Sequence, residues 1–202
     1  MTTDVVNHHA DHPGFAGVTG LLIGLIMSLA GGAVARLAAD LASVSDTDRV
    51  IDIGCGPGTA VREAARRGAR VIGVDPAPVM LRLARTLTPD RPAITWAEGA
   101  AEDLRQPDAS ATVVWSLATV HHWRDVTAGL AEIKRVLAPN GRFLAIERHA
   151  RPGATGLASH GWTEQQAESF AAQCRTAGFK DVRVENHRPG RRALSVVKAG
   201  RP

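Results

Sequence analysis

From residue 49 onward the chain repeats one pattern: a short run of adjacent apolar residues, then a stretch with helical spacing. The runs cover residues 50–53, 70–74, 93–96, 112–117 and 142–146. Apolar residues side by side, rather than alternating with polar ones, belong to strands covered on both faces. The runs therefore predict a parallel sheet with helices on both sides. Val126, Leu130, Ile133 and Leu137 fall on one face of a helix that Asn140-Gly141 is expected to stop. Thr163 and Gln166 have capping-box spacing and open a helix carrying Ala167, Phe170, Ala171 and Cys174 on one face, with Gly178 at its end. Two last runs, residues 182–186 and 194–198, are joined by a short link containing Pro189-Gly190. A link that short pairs its strands antiparallel. The expected fold is α/β: helix-linked crossovers, one further helix, and a closing hairpin.

Composition agrees with a packed domain. Hydrophobic residues make up 45% and charged residues 22% of 202 residues, enough to bury a core and too little charge for a disordered chain. The net charge is +4 and the sequence pI about 9.8, but the arginines are scattered, and the densest run, Arg188 with Arg191-Arg192, is short. A nucleic-acid footprint gathers its charge, so no nucleic-acid partner is expected. Cys55 and Cys174 lie far apart and outside any C-x-x-C pair, which argues against a disulfide framework and against a zinc site. His8, His9 and His12 lack a carboxylate or Cys array nearby and are read as a polar N-terminal segment, and no metal is expected.

The segment with the most chemistry follows the first strand: Asp52-Ile53-Gly54-Cys55-Gly56-Pro57-Gly58. At the carboxyl end of a strand in an open α/β sheet, such a loop is where ligands bind. A dinucleotide loop would read G-x-G-x-x-G; here the third glycine comes one position early, at Gly58, and Thr59 stands in its place. Asp52, two positions before the first glycine, would repel a pyrophosphate and can accept a hydrogen bond from a ligand ammonium.

VIDIGCGPGTA resembles motif I of the class I S-adenosylmethionine-dependent methyltransferases. VIGVDPAPVML resembles motif II, and WAEGAAEDL the adenine segment after the third strand. SATVVWSLATVHHW and EIKRVLAPNGRFLAIER resemble the fourth and fifth strands of the small-molecule, ubiquinone-biosynthesis-like branch. The resemblance is dense over residues 49–148. It implies a Rossmann-like sheet of seven strands in the order 3-2-1-4-5-7-6, the last strand antiparallel, with helices on both faces. It implies S-adenosyl-L-methionine as cofactor and S-adenosyl-L-homocysteine as product. The cofactor residues it implies are Asp52, Gly54, Cys55, Gly56 and Gly58 in the loop, and Asp75, at the ribose, with Pro76 and Met80. Ala101 and Glu102 would stand at the adenine, and Ser116, Leu117 and His121 at the end of the fourth strand. Many relatives have Asp where this chain has Ala100, which leaves adenine contact to the Ala101 amide and Glu102; a solvated helix-start carboxylate is the other reading of Glu102.

Methyl transfer from a sulfonium needs a nucleophile held in line and, where the nucleophile is protonated, a base. His121 and Glu147 match the histidine and acidic residue that serve as base and supporting group in relatives that methylate hydroxyls. The other reading is that His121-His122 caps the strand–helix junction. Trp115 and Trp123 flank the expected pocket, where stacking on a substrate competes with core packing. A small-molecule acceptor is expected, hydroxyl above thiol, amine or carbon. A non-catalytic cofactor-binding protein is the alternative of a different class.

Residues 13–35 carry no charge but six glycines, and their strongly apolar part, residues 21–29, is short. They are read as a helix covering the site rather than a membrane anchor, the latter implying a lipid or hydrophobic thiol as acceptor. The start of the chain has Asp4 and Asp11 and no Lys or Arg, unlike a secretory signal, so a cytoplasmic protein is expected. A single domain is expected, residues 1–45 forming a helical cap or substrate lid and residues 46–202 the cofactor-binding core. Residues 148–162 form a second flap, and either a monomer or a homodimer fits.

Overall fold

A computed structural model of the chain describes residues 5–10, 31–88, 91–190 and 193–202. Helix α1 (Gly32–Leu41) leads to strand β1 (Arg49–Ile53), α2 (Thr59–Arg66), β2 (Arg70–Asp75), α3 (Pro78–Thr86), β3 (Ile94–Glu98) and β4 (Ala111–Leu117). A 3-10 turn, Val120–His122, precedes α4 (Val126–Val136) and β5 (Leu137–Arg148). A second, Gly156–Ser159, precedes α5 (Glu164–Thr176) and the hairpin β6 (Lys180–His187) and β7 (Leu194–Gly200). The strands form one sheet in the order β3-β2-β1-β4-β5-β7-β6. Only β7 runs antiparallel to its neighbours, β5 and β6. Every strand expected from the apolar runs is present, in the order the motif resemblance implies.

Neighbouring residues on one strand feed opposite faces, which is why the runs do not alternate. Ile51, Val114 and Phe143 pack with Leu130 and Ile133 of α4 and with Phe170 and Cys174 of α5. Val50, Val113 and Leu144 pack on the other side with Ala35, Ala38 and Ala39 of α1 and with Val61 and Ala64 of α2. Of the apolar stretch at residues 13–35, positions 13–30 lie outside the described residues. Among the described residues no helix is long and apolar enough to cross a membrane.

One boundary differs from expectation. Helix α4 ends at Val136, and Leu137 is already extended, pairing with Ala111. Leu137 stays in the same core as Leu130 and Ile133, so its helical spacing was a coincidence of strand and helix sharing one buried face. Asn140, at φ +60°, and Gly141 bend the start of β5 rather than stop a helix. A Cβ on Gly141 would come within 2.8 Å of the Ala138 carbonyl oxygen. The capping box of α5 is present as expected: Gln166 N–H donates to Thr163 Oγ1 at 3.2 Å, and Thr163 N–H to Gln166 Oε1 at 2.9 Å.

At the amino ends of the strands, one carboxylate ties the sheet together. Asp48 accepts from the Thr112 hydroxyl at 2.7 Å, from the Ser45 amide at 2.9 Å, and from the Arg142 guanidinium. These partners bind the entrances of β1, β4 and β5. Burial works to raise the Asp48 pKa, but the hydrogen bonds from Thr112 and Ser45 and the charge of Arg142 outweigh it and hold it below its ordinary value. Asp48→Ala is expected to cost about 2–4 kcal/mol in urea unfolding at neutral pH, because the charged hydrogen bonds from Thr112, Ser45 and Arg142 to a buried carboxylate are lost together. A folded-state pKa below the unfolded one means this stabilisation is present above the unfolded value and lost as pH falls through the folded one. The gap between wild type and variant should therefore narrow in acid, and a gap independent of pH would sink this account.

Candidate active site

The Gly-rich loop turns at the carboxyl end of β1 with three left-handed glycines at alternate positions, Gly54 (φ +67°), Gly56 (φ +52°) and Gly58 (φ +79°). Only glycine adopts that region cheaply. Gly54 and Cys55 amides donate to the Val74 carbonyl at 2.8 and 3.0 Å, which lays the loop against β2. Asp75, at the end of β2, completes the attachment. Its Oδ2 accepts from the Gly56 amide and its Oδ1 from the Ala77 amide, both at 2.8 Å. Burial raises the Asp75 carboxyl above its ordinary range against the pull of those two amides.

Asp52 is 2% exposed, and burial holds its carboxyl well above the ordinary range, opposed by the neighbouring Trp115 indole and reinforced by the charge of Asp75. Cys55 is buried too, and burial and the charges of Asp52 and Asp75 push its thiol up. Neither cysteine is in a disulfide. Met80 is buried on α3, Ala101 is buried, and Pro76 is exposed. Glu102 is neither a solvated helix-start carboxylate nor unengaged. Its Oε1 accepts from the Arg124 and Asp125 amides at 2.7 and 3.0 Å, pinning the approach to α4.

After β4 the chain reverses sharply. Ser116 is fully buried with its hydroxyl 2.5 Å from Thr119 Oγ1, and Leu117 is half-buried. Ala118 sits at φ +58°, a strained value for a residue with a Cβ, and its amide donates to the Ile146 carbonyl at 2.7 Å. Thr119 then reaches back over the loop. Its hydroxyl donates to the Ile53 carbonyl at 3.1 Å, and its side chain leaves no room for a Cβ on Gly54. The turn Val120–His122 is thereby seated beside the Gly-rich loop.

His121 and Glu147, expected to act together, do meet. His121 Nδ1 lies 2.8 Å from Glu147 Oε2, with the imidazole side chain 3% and the carboxylate 0% exposed. Glu147 Oε1 accepts from the Val120 amide at 2.9 Å. The carboxylate accepts a hydrogen bond from Nδ1–H, which leaves the ring's lone pair on Nε2. That Nε2 is buried and, among the described residues, has no hydrogen-bond partner.

The surroundings of His121 are not legible in any motif. Residues 5–10 return across it: the His9 amide donates to the His121 carbonyl at 2.9 Å, and the Asn7 amide side chain to the Trp123 carbonyl at 3.0 Å. Trp162 Nε1–H donates to the Val6 carbonyl at 2.9 Å, joining that segment to the loop before α5. His8, His9, His122 and His160 all bring their rings within 6.0 Å of the His121 ring or its direct neighbours. His122 is pushed down to about 4, by burial first and then by the charge of His121. His12 lies outside the described residues. Trp115 and Trp123 are core residues, Trp123 stacked edge-on against Phe170. Trp96, which sequence reasoning passed over, lies against Gly58 and Gly73 instead.

Residues 51–145 match the family described as the methyltransferase domain. Demethylmenaquinone methyltransferase of Deinococcus radiodurans is 38% identical over 125 residues, 60% of this chain and 51% of the relative. The protein of the same name from Tropheryma whipplei is 33% identical over 114 residues, 55% of this chain and 46% of the relative. The chain thus spans about half the length of these relatives. In fold it is similar to an S-adenosylmethionine-dependent methyltransferase from Mesorhizobium loti, at TM-score 0.69 and 22% identity over 86% of this chain and 100% of the other.

The loop geometry makes one position sharply intolerant. A Cβ at Gly58 would stand 2.3 Å from Trp96 Cη2, on a backbone at φ +79°. Gly58→Ala is expected to cost about 2–4 kcal/mol in urea unfolding, from the left-handed backbone and the overpacked ring together. A variant within experimental error of wild type would show that the loop and Trp96 do not pack this way.

Proposed function

Because residues 51–145 form a class I S-adenosylmethionine-dependent methyltransferase domain, we propose that the chain moves the sulfonium methyl to a small-molecule acceptor, with His121 as base. The observation that carries this reading is the buried His121 Nε2, lone pair unused, on a ring whose other nitrogen is held by Glu147. The names of the Deinococcus and Tropheryma relatives support a small-molecule acceptor. A base supports one that loses a proton, a hydroxyl first and a thiol next.

Bound S-adenosylmethionine would supply an activated methyl group to the acceptor oxygen, with S-adenosylhomocysteine as the leaving group that carries off the electron pair of the carbon–sulfur bond. The acceptor's proton passes to His121 Nε2, and Glu147 stabilises the imidazolium so formed. Cofactor binding falls to the loop residues Asp52, Gly54, Cys55, Gly56 and Gly58. Asp52 is the partner for the cofactor's ammonium: burial favours its neutral form, and a cation beside it favours the charged one. Asp75, its carboxylate oxygens each using one lone pair on a loop amide, keeps the others for the ribose hydroxyls. Pro76 and Met80 follow it along the ribose side. The Ala101 amide and Glu102 take the adenine, Glu102 while its Oε1 holds the approach to α4. Ser116 and Leu117 line the floor leading to His121. Residues 5–10, as part of an N-terminal cap over residues 1–45, and the loop at 148–162 close over the acceptor.

The test is release of S-adenosylhomocysteine by purified protein across phenols, quinols, thiols, amines and fatty acids, with wild type and His121→Ala compared on the best acceptor. The variant is expected to lose kcat by roughly 10²–10⁴-fold, the range for removing a general base, while calorimetry shows S-adenosylmethionine binding near wild type. Unchanged kcat would remove His121 from the chemistry, and absent cofactor binding by wild type would remove the whole reading.

A further inference from the structure

One ring nitrogen from each of His121, His122 and His160 lies within 4.8 Å of the other two. We propose that these three imidazoles form a site for a divalent metal of the zinc class, and that metal there occupies the nitrogen that proton transfer needs. The second half of this rests on the reading of His121 as base; the first half does not.

Three observations converge on it. The first is His121 Nε2 itself, buried, lacking a hydrogen-bond partner among the described residues, and backed through Nδ1 by the Glu147 carboxylate. A carboxylate behind the far nitrogen fixes the tautomer of a ligating histidine and raises its basicity. The second is His122, whose Nδ1 points at the His9 carbonyl at 3.4 Å. A carbonyl accepts only, so Nδ1 carries the proton and Nε2 keeps its lone pair. The third is the donor set. Imidazoles with no ligating carboxylate suit zinc, cobalt, nickel or copper and not magnesium or calcium, which take oxygen. Tetrahedral ligation at ~2.0–2.1 Å puts nitrogens ~3.3 Å apart, so the imidazoles need only close inward. His160 comes to the group from the loop between the turn Gly156–Ser159 and Gly161, its ring stacked on His9 at 4.3 Å and edge-on to His121 at 5.4 Å.

The two uses of Nε2 exclude each other. A metal on it withdraws the lone pair that would take the acceptor's proton, so the loaded protein should be inactive and a chelator should restore it.

Cobalt(II) is the probe, because tetrahedral cobalt absorbs strongly in the visible and octahedral cobalt weakly. Wild-type protein, stripped with chelator, is expected to bind one cobalt per chain with an intense visible band, and zinc should abolish the band by displacement. His160→Ala and His122→Ala should each weaken binding by tenfold or more. Glu147→Gln, a positioning change, should weaken it by roughly 10–100-fold, with thermal melts confirming that each variant is folded. No visible band, or a band unaltered in both histidine variants, overturns the site. In the S-adenosylhomocysteine assay, zinc should inhibit at the concentration that displaces cobalt. Equal turnover with and without zinc, at full occupancy of an intact cobalt site, overturns the competition alone. An inactive stripped protein that still binds cobalt would sink the base reading and leave the metal site standing.

Discussion

A carboxylate with no exposure to water has to be paired, and Glu147 is the residue around which this end of the sheet is arranged. Leaving such a charge unmatched costs several kcal/mol even after relaxation (about 3–5 when a partner is removed). Its two oxygens are matched by the Val120 amide and by His121 Nδ1, both from the turn after β4. For these to reach, the chain must leave β4 at once, which it does through Ala118 in a left-handed conformation, held by the Ile146 carbonyl. The register of β4 on β5, with Leu117 opposite Ile146, puts Glu147 one residue beyond the last pair, where the turn arrives. Strand pairing, backbone strain and the histidine's orientation are thus one constraint.

The Gly-rich loop depends on that turn as well as on β2. Thr119 covers Gly54 from the β4 side, and Asp75 holds Gly56 from the β2 side. The loop is clamped between two strand ends, with Trp96 filling the space beside Gly58. A loop fixed this way can present its backbone to a ligand without paying to order it on binding. Asp52 and Asp75 add two buried carboxyls at the same edge, an arrangement that favours a cationic ligand over a phosphate-bearing one. Sequence spacing had pointed the same way, through the early third glycine and the leading acid.

Nearly all of the fold was legible because it rests on local signals: buried strands read as adjacent apolars, and Thr163 with Gln166 marked the start of α5. The end of α4 was misread, since Leu137 keeps helical spacing while already extended on the same core face. The pairing of His121 with Glu147 came from motif positions and not from chemistry visible in the residues around them. The remaining histidines could not have been found so. His8 and His9 are more than a hundred residues from His121 in the chain, and what gathers them is a set of backbone contacts, Val6 to Trp162 and His9 to His121, that no periodicity announces. The contacts of Glu102 were hidden for the same reason: its partners are backbone amides at Arg124 and Asp125, and backbone carries no sequence signature.

The geometry proposed to make His121 a base is the one proposed to make it a ligand, and both rest on Glu147 rather than on the ring alone. An imidazole unassisted divides its proton between two nitrogens; one whose Nδ1–H is held by a buried carboxylate offers a single, fixed lone pair. Whatever comes to that lone pair, a proton or a metal, meets a donor already oriented. What separates the two outcomes is the neighbourhood. A lone oriented imidazole takes protons, whereas three within ligand distance compete for a cation that bridges them. The loop carrying His160 thereby decides between them, because its approach to His121 and His122 is what turns one basic nitrogen into part of a chelating set.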